Sequence, residues 1–190
     1  MKISRKKNNQ GQSLMETILA IGLVTSVILG ALGLGIYSVR VGRYSQNQLL
    51  AANLAREALE YVRNVRDSNW LKGQAWNTGL ITSPDCYNVG ANWCTLDFNA
   101  STNTWTTAAL AGINIDTCTQ AQCELKTDLN YYTYTLNPGG NPTGFRRVFQ
   151  IQPITVLGID ELQVTVKVKW FEKNSPRYLN LFEVLTDWRP

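Results

Sequence analysis

Three sets of side chains have the types and spacing to do chemistry. The first is Glu16, an isolated acid at the start of an apolar run. Residues 17 to 39 read TILAIGLVTSVILGALGLGIYSV, 23 positions without a charge before Arg40. A carboxylate beside such a run is costly to desolvate, about 2.5–3.5 kcal/mol at a bilayer centre, and usually has a purpose. The second set is Cys86, Cys94, Cys118 and Cys123, an even number confined to the middle third of the chain. In an exported domain such cysteines suggest disulfides, and four of them allow three connectivities. The local pairs Cys86–Cys94 and Cys118–Cys123 are expected, because each would close a short loop where the chain has little core of its own. The alternative is a four-cysteine zinc site, which the spacings of seven and four intervening residues fit poorly. The third set is the doublet Arg146-Arg147, with Lys167 and Lys169. Its sharp reading is a DNA-contact patch. The plainer reading, a solvated strand face, is preferred.

Other chemistry is missing. The chain has no histidine. That removes histidine-based general bases, most catalytic zinc sites and the usual pH switch. No Ser-Lys or paired-carboxylate spacing replaces them, and no calcium loop is recognisable. Neither an enzyme nor a cofactor or metal is expected.

The formal charge is +4, from 18 basic and 14 acidic residues. Residues 1 to 11 hold Lys2, Arg5, Lys6 and Lys7 and no acid. Without those four the signs balance, so the basic isoelectric point gives no warrant for a nucleic-acid partner.

The elements that position these groups follow from periodicity. As a helix, the uncharged run reaches roughly 35 Å, against about 30 Å of hydrocarbon in a bilayer. The leading cations keep the N-terminus in the cytoplasm. A cleaved signal peptide fits poorly, because the run is long and is followed by Arg40-Val41-Gly42-Arg43. From Gln48 to Val65, apolar Leu50, Leu54, Ala58, Tyr61, Val62 and Val65 recur at helical spacing. Arg56 and Glu60 are placed for an i,i+4 pair. Together the two stretches predict one helix of about 50 residues, with Gly30, Gly33, Gly35 and Gly42 as places to bend or melt.

Residues 68 to 128 lack clear periodicity. They hold Trp70, Trp76, Trp93 and Trp105, and the sequon Asn99-Ala100-Ser101. Irregular structure is expected there, with the tryptophans pinning loops onto a sheet. The functional rival is a ligand-facing surface. Four strands follow: Asn130 to Leu136, Phe145 to Ile151, Leu162 to Phe171 and Tyr178 to Trp188. Turns are expected at Asn137 to Pro142 and at Asn174-Ser175-Pro176. Leu162, Val164, Val166, Val168 and Trp170 alternate with polar residues, so one face is buried. Phe182, Val184 and Trp188 are expected on one face of the last strand. The whole reads as α+β, an antiparallel meander covered by the helix from 48 to 65.

A short basic leader ending in Gly11, Glu16 as the fifth residue beyond it, apolar Leu14 and Met15, and an unbroken span resemble the class III leader of type IV prepilins and pseudopilins. The stretch LAREALEYVRNVRDSNW, Leu54 to Trp70, is also similar to minor pilins. The resemblance implies a pilin fold with four parts: a leader at 1–11, a membrane and filament-core helix at 12–40, an amphipathic helix at 41–67 and a head at 68–190. The head divides into a Cys/Trp region at 68–128 and a sheet at 129–190.

In that family a membrane aspartyl peptidase cuts after the glycine and N-methylates the new first residue. Gly11 and Gln12 would flank the cut, and Gln12 would carry the methyl. The family usually has phenylalanine there, a departure that bears on methylation more than on cleavage. Gly33 stands where many pilins carry a proline. Glu16 would pair with the terminal amine of a neighbouring subunit and set the filament's register. At about 4 Å and an effective dielectric near 20 that attraction is roughly 4 kcal/mol before desolvation.

The implied function is that of a minor pilin in a type IV pilus. Its partners would be other pilin subunits, the prepilin peptidase, an inner-membrane assembly platform and, before assembly, membrane lipid. Its location would be the inner membrane, in a single pass with the N-terminus inside, then the extracellular pilus or a periplasmic pseudopilus. A pseudopilin of a secretion or competence system is the nearest rival. A monomeric membrane-anchored adhesion domain is the rival from another class.

Overall fold

A computed structural model describes residues 10–81, 86, 92–99, 104–110, 112–128, 131–134, 141–156 and 159–187. The chain divides into two compact units, residues 1–46 and 47–190. The first helix, α1, runs unbroken from Gln10 to Leu71. The glycines expected to bend it do not interrupt it: Gly30, Gly33, Gly35 and Gly42 are all helical. The end of α1 has a stated cause. Gly73 adopts φ +67 just past it, and its N–H donates to the Trp70 carbonyl over 3.1 Å, the left-handed cap that glycine takes without a Cβ penalty.

Within residues 47–190, α1 packs on an antiparallel sheet, so the unit is α+β. In chain order the strands are β1 (Trp93–Asn99), β2 (Thr104–Leu110), β3 (Glu124–Asp128), β4 (Tyr131–Thr133), β5 (Asn141–Val156), β6 (Ile159–Glu172) and β7 (Ser175–Leu185), with a short helix α2 (Gln120–Cys123) before β3. The long strand β5 is the hub. It pairs with β6 along one side and with β3 and β1 along the other. β1 carries β2 outward, β3 carries β4, and β6 carries β7.

The expected meander is half right. β5, β6 and β7 do follow one another as neighbours, but β4 reaches β5 only through β3. The stretch expected to be irregular holds β1, β2 and β3, and Trp93 and Trp105 lie on those strands. The turn between β6 and β7 falls one residue earlier than expected, on Lys173 and Asn174, between the paired Glu172 and Ser175. Both residues have positive φ, 46 and 65, as a two-residue type I′ turn requires. The turn expected at Asn137 to Pro142 lies mostly outside the described residues, as does Trp188.

The pleat sets two cores. On the helix side Ala51, Leu54, Ala55, Ala58, Leu59 and Val62 meet Phe149, Leu162, Val164, Val166, Val168, Trp170 and Leu185. Three of the six helix residues are alanines, which bring the helix backbone close to the sheet. Val148, next to Phe149, points the other way and joins Leu110, Ile115, Cys118 and Cys123. Each core holds one disulfide, Cys86–Cys94 in the first and Cys118–Cys123 in the second. The cysteines are therefore joined locally, and the four-cysteine zinc reading falls.

Register decides which face of β7 turns inward. Leu181 lies opposite Val166 and Leu185 opposite Leu162, on the helix side. Phe182 and Val184 lie on the other face, and Phe182 is 68% exposed. Phe182 and Val184 thus share a face as expected, and it is the outer one; the two-residue turn places the odd-numbered residues inside.

Candidate functional site

The residues 14–41 of the first unit present an apolar surface with no cover. Leu14, Met15, Ile18, Leu19, Leu23, Val27, Leu29, Leu34 and Ile36 are all exposed. This is the one helix among the described residues long and apolar enough to cross a membrane. Three of its hydroxyls suit an apolar surrounding, because they are bonded back to the helix. Thr17 Oγ1 donates to the Leu14 carbonyl over 2.9 Å, Thr25 Oγ1 to Ile21 over 2.8 Å and Ser26 Oγ to Leu23 over 2.8 Å. A hydroxyl satisfied within its own helix asks nothing of lipid.

Glu16 is exposed among these side chains. Gln12 lies one helical turn before it, about 6 Å along the axis. The backbone at Gly11 and Gln12 is already helical. Lys2, Arg5, Lys6 and Lys7 lie outside the described residues.

The basic doublet in the second unit is not a surface. Adjacent strand residues point to opposite faces. Arg147 is fully buried under α1, and Arg146 is half-buried on the other side. Arg147 donates to Glu57 Oε2 over 2.8 Å, to the Leu54 carbonyl over 3.1 Å and to the Leu96 carbonyl over 2.7 Å. Burial alone would lower its pKa, but the neighbouring Tyr134 and Glu57 outweigh that and hold it above the ordinary value. Arg146 donates to the Cys118 carbonyl over 2.7 Å. Lys169 is also buried and donates to Asp116 Oδ1 over 2.7 Å, where the Tyr178 hydroxyl donates over 2.6 Å. Lys167 lies 4.6 Å from the centre of the Trp93 ring. Neither the DNA patch nor the solvated strand face survives, since these cations are engaged within the domain. Sequence reasoning missed this set, although the period of two was a signal that a doublet cannot share one face.

The tryptophans of the middle region are also engaged. The Trp70 indole donates to Asp187 over 3.1 Å and Arg66 stacks on it at 4.7 Å. Trp105 packs against Phe98, with ring centres 4.8 Å apart. Trp76 packs against the helix-side core. The sequon lies partly outside the described residues, at Ala100 and Ser101. The expected Arg56–Glu60 pair gives way to another: Glu60 pairs with Arg63, which also reaches Glu183 over 2.7 Å.

What residues 10–41 can do is therefore lipid or helix contact, with one carboxylate available for a cation. Comparison with protein-family models, with curated proteins and with solved structures found no match for the chain.

Proposed function

We propose that this chain is a pilin-class filament subunit, of the minor pilin kind, held in the membrane by residues 12–40 before assembly. Its leader is removed after Gly11, and the freed amine of Gln12 lies one turn from Glu16. In the filament the Glu16 carboxylate takes the amine of a neighbouring subunit. The domain from 47 to 190 then decorates the surface. One observation carries this reading: Glu16 is the lone carboxylate on the exposed apolar segment from 14 to 41. A plain anchor gains nothing from that acid, whereas a register pair needs it. Mass spectrometry of the native membrane protein tests the reading. A chain beginning at Gln12 is expected, and one that retains Met1 through Gly11 in cells that assemble filaments overturns it.

A further inference from the structure

The face of β7 that turns away from α1 carries rings and an amide in alternation. Tyr178, Asn180 and Phe182 share it, because side chains two apart on a strand point the same way. Tyr178 is 45% exposed and Phe182 68%. The two rings stand four residues apart, about 13 Å along the strand. Asn180, between them, is exposed as well. Tyr178 is fixed in place: its hydroxyl donates to Asp116, and Lys169 Nζ lies 5.3 Å from its ring centre.

From Phe182 the same rung of the sheet continues through Thr165 to Gln150. Gln163 follows on the next rung, opposite Val184. The side chains of Asn180, Thr165, Gln163 and Gln150 make no hydrogen bond among the described residues. Gln150 is only 6% exposed, yet its amide has no partner there. Among the described residues Arg147 Nε alone is both sealed off and unpaired, so the Gln150 amide still opens outward. Polar groups buried to this degree are nearly always hydrogen-bonded, and this one is left for a partner from outside. The rungs of Phe182 and Gln163 carry no charge. Of the lysines on the next two rungs, Lys167 leans across β5 to the Trp93 ring, away from β7, and Lys169 is paired with Asp116.

We infer that this face takes a neutral, linear oligosaccharide lying along β7. A sugar ring offers an apolar C–H face to an aromatic ring, and hydroxyls that both donate and accept, as side-chain amides do. A chain of about three sugar units covers the distance from Tyr178 to Phe182. Asn180 meets its middle, and Thr165, Gln163 and Gln150 meet the hydroxyls that point across the sheet. An apolar occupant, whether lipid or another sheet face, would seal the Gln150 amide without a partner and forfeit its hydrogen bonds to water. An acidic ligand finds no cation on the rungs of Phe182 and Gln163. The site lies wholly within residues 47–190 and does not depend on the assembly role of the apolar helix.

The test uses the full chain in a detergent without a sugar headgroup. The probes are an array of neutral linear hexasaccharides of glucose and of N-acetylglucosamine, with sialylated and sulfated chains beside them. Binding of a neutral chain is expected, and its strength should not change between about 50 and 500 mM salt. Affinity is expected to rise from the disaccharide to the tetrasaccharide as the second ring is engaged. Phe182→Ala is expected to weaken binding about tenfold and Phe182→Trp to restore it, with the melting temperature unchanged in both. Gln150→Leu is expected to weaken binding about fivefold without lowering the melting temperature, because the amide it removes is unpaired in the free protein. The inference is overturned if no neutral chain binds, if only the acidic chains bind, or if either Phe182→Ala or Gln150→Leu leaves binding unchanged. Self-association that Phe182→Ala abolishes would give the face to a second copy and also overturn it.

Discussion

Arg147 on β5 reaches under α1 to Glu57 over 2.8 Å, joining two residues that lie 90 positions apart. The guanidinium also takes one carbonyl from the helix and one from β1. A buried charge is tolerable only when paired and hydrogen-bonded.

Removing Arg147 is therefore costly. Arg147→Ala is expected to lower the unfolding free energy of the detergent-solubilised protein by about 3 kcal/mol, since Glu57 and two carbonyls lose their donor. Glu57→Gln is expected to cost about 1 kcal/mol, because that side chain is partly exposed and the two carbonyl bonds remain. Urea titration of both variants measures the order. Equal losses would mean that the carboxylate, and not the buried cation, dominates.

The contact of Asp116 with Lys169 and Tyr178 makes stability depend on pH at both extremes. The hydrogen bond from Lys169, then that from Tyr178, holds the Asp116 carboxyl below its ordinary 3.8. A carboxylate depressed on folding stabilises above its unfolded value and loses that contribution as pH falls below it. Lys169 goes the other way: its burial is outweighed by Asp116 and Tyr178, which raise it above 10.5. Its contribution is full below that value and is lost as pH rises beyond it. The gap in melting temperature between the wild type and Asp116→Asn should be constant near neutrality and close below pH 3.8. A gap unchanged at pH 2.5 would contradict the assignment.

The bridge Cys118–Cys123 begins two residues after Asp116 and ties down the end of its segment. The double change Cys118→Ser, Cys123→Ser is expected to cost about 2–3 kcal/mol, mainly through the unfolded state. It should also speed hydrogen exchange over residues 112–119 without affecting α1. Exchange that quickens in α1 instead would show that the two cores are not separable.

Glu16→Ala is expected to enter the membrane at least as well as the wild type, because a costly charge is gone. It is expected to be missing from filaments. Quantifying the chain in sheared filament and membrane fractions separates the two effects, and normal filament content would remove the register role.

The long elements were legible because their periods are clean. The alternation of β6 from Leu162 to Trp170 and the spacing from Gln48 to Val65 each point one face inward. Even so, Ala51 and Ala55 escaped notice although both are buried, because alanine carries little hydropathic signal. β2 was illegible for another reason: as an outer strand it is mostly exposed, so nothing forces its residues to alternate. Arg147 was misread because a charge was assumed to seek water, whereas position on a pleat decides which way it points. Gly11 and Glu16 were legible only by resemblance, since nothing in one isolated chain supplies the amine that Glu16 would meet.

The two left-handed residues of the β6–β7 turn have a consequence for errors in folding. Lys173 and Asn174 stand where a strand's orientation is decided once for all its residues. A turn one residue longer would swap Leu181 and Leu185 for Phe182 and Val184 against the helix, and would carry Glu183 out of reach of Arg63. Neither lysine nor asparagine takes positive φ as freely as glycine. The hairpin thus spends some local stability at its tip, and what it secures is a single reading frame for its last strand.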